Sequence, residues 1–243
     1  MIDVSTPASA RMHCYLLGGT DHYTADRLAV GVLRQLHPGA AVQARQARAY
    51  AHSALDRLAR DGIAQLLDLG CGLPHRPHLH DTVTRRQPGA RTVYTDRDPI
   101  VLAHGRMMLE ESANVRVIKA DLSRPGILQH PALQEHLDLT EPVAVTAVNL
   151  LEHLDDDAAS RLLRDLSALA PASVVVIATP VCADPSRAAL ITLAMDRAAH
   201  GAWGRLRTPQ EAKTLHPALS SGLIHAPSAH PQLATALIAT TEL

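Results

Sequence analysis

Aromatic residues are nearly missing from this chain: one Trp, four Tyr and no Phe among 243 residues. The core must therefore be assembled from Leu, Val, Ile and Ala. Stacking on a ligand is left to Tyr15, Tyr23, Tyr50, Tyr94 or Trp203. Cysteine is scarce too, and Cys14, Cys71 and Cys182 are too scattered for a disulfide framework or a zinc site. No apolar run approaches the ~18 residues of a membrane span. Asp3 and Arg11 interrupt the N-terminal stretch where a signal peptide needs an apolar run, so a cytoplasmic protein without a membrane partner is expected. Charge excess is also absent: 23 basic against 24 acidic side chains leave nothing to neutralise a run of phosphates, which argues against a nucleic-acid partner. Lys119 and Lys213 are the only lysines, and the resulting weight on Arg is attributed to codon usage rather than to chemistry.

What is present is a beat. A hydrophobic fraction of 47% with 19% charged residues is globular, and the length suits one α/β core with an appended part. Short apolar runs end at Leu69, Thr95, Lys119, Val148 and Ala178, in steps of 26, 24, 29 and 30 residues. Each step holds a segment of helical spacing, such as Pro99 to Glu110 or Asp156 to Ala170. Strand, crossover and strand of this length make a βαβ unit, so a Rossmann-like, doubly wound, mainly parallel sheet is expected. Before it, Ala8–Leu17, Thr24–Leu36 and Ala41–Arg60 read as helices, giving an N-terminal cap over residues 1–62 and a ligand-binding domain over 63–243. After the fifth strand come a helix at Pro185–Ala199 and a loop-rich stretch from Gly201 to Leu219. Two weak strands follow, at Gly222–His225 and Thr235–Thr240, in a tail broken by His216-Pro217, Ala226-Pro227 and His230-Pro231.

In such a sheet, ligands sit beyond the carboxyl ends of the strands. The first end reads Asp68-Leu-Gly70-Cys-Gly72-Leu-Pro74, where two glycines permit a sharp turn and a helix starting near His75 would offer free N–H groups. A dinucleotide fingerprint would place a third glycine where this chain has His75. The second end carries Asp96, 26 residues beyond Gly70, placed to accept ribose hydroxyls, with Asp98 read as the cap of the next helix. The third carries Asp121, suited to an adenine amino group. The fourth holds Asn149, Glu152 and His153 ahead of Asp155-Asp156-Asp157, whose expected work is helix capping. A histidine near neutrality is a suitable proton acceptor, with Glu152 to orient it. His75, His78 and His80 do not share one helical face and are not read as a metal site. Asp21, His22 and Tyr23 follow the Gly18-Gly19 pair and are expected to swing onto a bound ligand.

Four stretches together resemble a known family: Tyr15-Leu-Leu-Gly-Gly-Thr-Asp-His-Tyr-Thr-Ala-Asp26, Asp68 to Pro74, Tyr94 to His104, and Ala120-Asp-Leu122. They are similar to the bacterial S-adenosylmethionine methyltransferases once grouped as a domain of unknown function. The resemblance spans roughly residues 7 to 180 and implies a class I methyltransferase fold that binds S-adenosylmethionine. It implies that Gly70 and Gly72 face the methionine moiety, Asp96 the ribose and Asp121 the adenine. Asp68, Arg97, Leu122 and Asn149 complete the expected cleft, and a lid containing Tyr15, Gly18, Gly19, Asp21 and Tyr23 closes over it. The chain departs from the family pattern at Thr20 and His22, where Lys and Asn are usual. It departs again at Asn149-Leu-Leu-Glu-His-Leu154, where a Leu-His-aromatic ending is usual. The expected activity is methyl transfer to a small molecule, such as one of specialised metabolism, with His153, Glu152 and His22 as the catalytic candidates. The rivals are a pericyclase-type or binding protein that keeps the cofactor but transfers no methyl, and an NAD-linked oxidoreductase. Oligomeric state has no signature in the sequence.

Overall fold

The short apolar runs form strands, and the first of them, β1 (Gln65–Leu69), is buried along its whole length. The computed structural model describes residues 3–215, 223–225 and 235–242. Parallel to β1 run β2 (Arg91–Asp96), β3 (Val115–Lys119), β4 (Ala144–Val148) and β5 (Val174–Val181). The backbone of β6 (Leu223–His225) and β7 (Thr235–Glu242) completes a seven-stranded sheet of order β3-β2-β1-β4-β5-β7-β6, with β7 antiparallel to both neighbours. Strand ends fall at or within one residue of expectation except in β5. That strand runs three residues past Ala178 because β7 pairs with it from Val174 through Val181. Gly222 and the three X-Pro breaks of the tail lie outside the described residues.

Helices cover the sheet for reasons visible in their own sequences. Helix α7 (Asp156–Leu166) starts where the Asp155 carboxylate accepts the Ala158 N–H at 2.7 Å, and it buries Ala158, Ala159, Leu162, Leu163 and Leu166 in the core with Val145 and Ile177. Asp98 caps α5 (Pro99–Met108) as expected, accepting from the Ile100 N–H at 2.8 Å. Helix α3 (Ala40–Arg60) presents an alanine face that lets Ala51, Leu55 and Ala59 pack on Leu66, Tyr94 and Val117. Helices α1 (Ser9–Leu17) and α2 (Thr24–Leu36) form a separate cluster with α8 (Pro185–Ala198), joined through Met12, Val30, Leu33, Ile191 and Met195. The helix expected from His75 instead begins four residues later: Pro74 and Pro77 keep the chain irregular, and α4 spans only Leu79–Thr84. Helix α6 (Pro131–His136) and a short α9 (Pro209–Thr214) are also present, the latter inside the stretch expected to be loop.

A buried ion pair ties α1 to α2. Arg11 Nε donates to Asp26 Oδ2 at 2.9 Å, with side chains 4% and 0% exposed. The same carboxylate accepts the backbone N–H groups of Ala8 and Tyr23. Removing one partner leaves a buried charge alone, which costs ~3–5 kcal/mol. Asp26→Ala is therefore expected to lower unfolding free energy by about that amount in denaturant titrations. Amide exchange should accelerate most across α1 and α2.

Candidate functional site

The strand order places four carboxyl-terminal ends side by side, and a cleft of about 1020 Å³, its open mouth included, runs along them. At the β1 end, Gly70 and Gly72 take φ of +68° and +63°. A side chain on Gly70 would meet Leu150 Cδ1 at 2.8 Å, whereas one on Gly72 would fill open space in the cleft. Asp68 is buried at the start of this turn. Its carboxylate accepts the Thr146 hydroxyl from β4, its carbonyl accepts the Thr95 hydroxyl from β2, and burial raises its pKa to about 6. The Asp96 carboxylate gathers three backbone N–H groups, from Gly72, Arg97 and Asp98 at 2.8–3.0 Å, which oppose the upward push of burial on its pKa. Asp121 is more open. The Ser123 hydroxyl donates to it at 2.7 Å and is the main reason its pKa is lowered, while Arg97 stands 3.8 Å away.

At the β4 end, Asn149 adopts φ of +52°, a left-handed conformation that Asn tolerates, and turns the chain into a 3₁₀ turn at Leu151–His153. Arg207 clamps this turn from behind. Its buried guanidinium donates to the carbonyls of Leu151 and Leu154 and to the Asp156 carboxylate. A second strap follows from Gly204, where a Cβ would lie 1.7 Å from the Glu152 carbonyl oxygen. Arg205 N–H donates to that oxygen at 2.7 Å. Glu152 is buried and accepts the Thr179 hydroxyl at 3.1 Å; burial lifts its pKa to about 7, against the smaller pull of Arg207. Burial takes the half-buried His153 the other way, to about 4, helped by the charge of Arg97.

Of the expected residues, Asp68, Gly70, Gly72, Asp96, Arg97, Asp121, Leu122, Asn149 and His153 line this one cleft. Glu152 lines a smaller space beside it, of about 560 Å³ with its open mouth included, which shares Ser9, His13, Asn149 and His153 with the cleft. Tyr15, Gly18, Gly19, Asp21, His22 and Tyr23 do not line the cleft. Gly18 ends α1 in a left-handed cap. Tyr15 is held between the His22 ring and the Arg34 guanidinium, and Tyr23 covers Arg11. Asp21 stands 3.8 Å from His104 Nδ1 on α5. From α1 it is instead Ser9, Ala10, His13 and Leu17 that face the ligand space.

Among the cleft residues that went unforeseen are one histidine and one arginine. His13 meets the Asn149 side chain at 3.2 Å, and burial drops its pKa to about 4. Arg48, on α3, reaches across the cleft to the carbonyls of His75 and Pro77 and favours the ionised form of Asp68. Arg48 and Arg207 thus hold parts of the site, as Arg11 holds the helical cap. The histidine cluster has structural work, His80 stacking on His78 and bonding the Tyr94 hydroxyl at 2.9 Å. Among the described residues no group of three or more His, Cys, Asp and Glu is placed for a metal, and no helix is long and apolar enough to cross a membrane.

A family model described as S-adenosyl methyltransferase matches residues 1–239. Among solved structures, a putative methyltransferase from Thermobifida fusca YX is similar with a TM-score of 0.85 and 30% identity, over 99% of this chain and 97% of that one. A DUF574 family protein from Streptomyces avermitilis MA-4680 also gives 0.85, at 29% identity over 98% and 99% of the two chains. No curated protein matches the chain significantly. With the family model covering nearly its whole length, the chain belongs to the S-adenosyl methyltransferase family and is an S-adenosylmethionine-dependent methyltransferase of class I fold.

Proposed function

We propose that the enzyme methylates a nucleophilic atom of a small molecule delivered to the His153 end of the cleft. One observation carries the reading: along strand ends β3, β2, β1 and β4 the cleft runs from the carboxylates of Asp121 and Asp96, past Gly70 and Gly72, to Asn149 and His153. The cleft fits the cofactor. Gly72 leaves space that a side chain would fill, and Asp96 is held by three N–H groups with lone pairs left for ribose hydroxyls. Asp121 and Leu122 would hold the adenine, Asp96 the ribose, and Gly70 and Gly72 the methionine end. Arg48 supplies a cation for the methionine carboxylate. When bound, S-adenosylmethionine supplies a methyl activated by its sulfonium for in-line displacement.

The protein's contribution is alignment, water exclusion and a place for the acceptor's proton. Ser9, His13, Asn149 and His153 are the residues shared by cleft and inner cavity, so they would orient the nucleophile. With a pKa of about 4, His153 is neutral and accepts a hydrogen bond but holds a proton weakly. Glu152, at about 7, is the better matched base. The directions of the two shifts support Glu152 as proton acceptor and His153 as the positioning partner, the reverse of the roles expected from sequence. A roof of helices over a cleft of this size supports a small acceptor.

Asp96→Ala is expected to weaken S-adenosylhomocysteine binding at least ~tenfold in calorimetry, the loss of two charge-assisted hydrogen bonds. Unchanged titrations would remove Asp96 from the site.

In wild type, kcat should rise with pH as Glu152 ionises, with a midpoint at or below about 7, since a nearby sulfonium favours the carboxylate. Glu152→Gln should erase that limb and lower kcat by ~10²–10⁴-fold. His153→Gln should lower kcat while keeping both the limb and the affinity for S-adenosylhomocysteine.

The same carboxyl sets a stability signature. Its folded pKa of about 7 lies above its ordinary 4.5, so its stabilising share is full below pH 4.5 and is lost as pH rises through 7. Glu152→Gln should match wild type in thermal unfolding at pH 4.5 and exceed it at pH 8 by up to about 3 kcal/mol. Equal stability at both pH values would show that Glu152 is not held protonated by burial.

A further inference from the structure

The inner cavity has a chemistry of its own. Leu16, Leu33, Ile191, Leu206 and the Trp203 ring give it mainly apolar walls. Among the described residues no Lys or Arg lines it. Its histidines, His13, His37 and His153, all have pKa values lowered first by burial, so they carry no charge at neutral pH. Two buried nitrogens have no partner, His37 Nδ1 and Trp203 Nε1. His37 is only 4% exposed, and its Nε2 is 3.0 Å from Gln43 Oε1. That contact makes Nε2 the protonated nitrogen, leaving Nδ1 as an unused acceptor, while the indole N–H is an unused donor. Buried polar atoms without partners call for explanation, and a ligand offering one donor and one acceptor supplies it. The cavity borders the cofactor cleft, and Ser9, His13, Asn149 and His153 line both.

We propose that this inner cavity is the methyl-acceptor subsite and that it selects uncharged, apolar-bodied molecules bearing a hydroxyl or similar heteroatom, excluding anions. This rests on the small-molecule methyl transfer proposed above. The walls accommodate the body of the acceptor, the two unpaired nitrogens fix its polar groups, and Glu152 beside the shared side chains receives its proton. A carboxylate would enter without a cation to meet it and would face Glu152, so burial would be unfavourable. The wall formed by Trp203 is fixed because Gly204 lies against Glu152, which keeps the indole edge-on to the His153 ring at 6.3 Å.

Trp203 is the only tryptophan of the chain, so its fluorescence reports on this cavity independently of turnover. Benzyl alcohol and benzoate serve as neutral and anionic probes of matched shape. The expected result is a saturable change in Trp203 emission with benzyl alcohol, and binding of benzoate at least ~tenfold weaker. Ala44→Phe, which fills the cavity from α3, should abolish the benzyl alcohol response while the Kd for S-adenosylhomocysteine stays within about twofold. Ile191→Ala should enlarge the cavity and admit 4-tert-butylbenzyl alcohol, which wild type excludes. Equal binding of benzoate and benzyl alcohol overturns the proposal. So does an unaltered alcohol response in folded Ala44→Phe together with no gain in Ile191→Ala. Protein that binds benzyl alcohol but not S-adenosylhomocysteine would overturn the methyl-transfer reading itself, and the acceptor role with it.

Discussion

A carboxylate buried between three strand ends is the constraint on which the site depends. Asp68 lies where the strand order reverses, so β2 flanks it on one side and β4 on the other. Thr95 and Thr146, one from each neighbour, donate their hydroxyls to its carbonyl and carboxylate. An acid there is costly unless its lone pairs are filled; the Thr146 bond to the carboxylate ties β4 to β1, and the Thr95 bond to the Asp68 carbonyl ties β2 to β1. The turn at Gly70–Gly72 and the approach of Asp96 to Gly72 N–H lie just beyond these ties. Nothing apolar of the same size would tie the strands in this way, because dispersion contacts do not specify where along a strand a neighbour must stop.

Arginine plays the equivalent part outside the sheet. Arg11 fastens the cap to itself, Arg48 joins α3 to the irregular segment before α4, and Arg207 secures the 3₁₀ turn that holds Glu152 and His153. In each case a planar group with five N–H donors satisfies backbone carbonyls or carboxylates that no regular element would satisfy. Lysine, with a compact ammonium, would not span two carbonyls in the same way.

The parts legible in sequence were those governed by local rules. Strand spacing announced the sheet, and residues just past each strand end announced the cleft, because a strand end has one place to point in a doubly wound fold. The cap was legible as helices but not as a lining. His13 and Arg48 sit in helical stretches whose inward side is decided by packing against α8 and the sheet, and a regular alanine pattern on α3 marks the buried face without marking the cleft. Proton assignment was out of reach for a similar reason. Glu152 and His153 are adjacent in sequence, but burial acts on them with opposite sign, and burial is a property of the assembled turn. The polar triplet Asp21-His22-Tyr23 looked ligand-directed; here the His22 ring meets Tyr15 and the Tyr23 ring meets Arg11.

Cleft and inner cavity draw on different parts of the chain. The first is made chiefly by strand ends, which the sheet cannot shift without unpairing. The second takes most of its wall from helices α1, α2, α3 and α8 and from the segment around Trp203. Replacements at Leu33 or Ile191 alter the shape of one space and leave the other untouched. Under the proposed reading, a change of acceptor would therefore fall to the helices, while the hold on the methyl donor stays with the sheet.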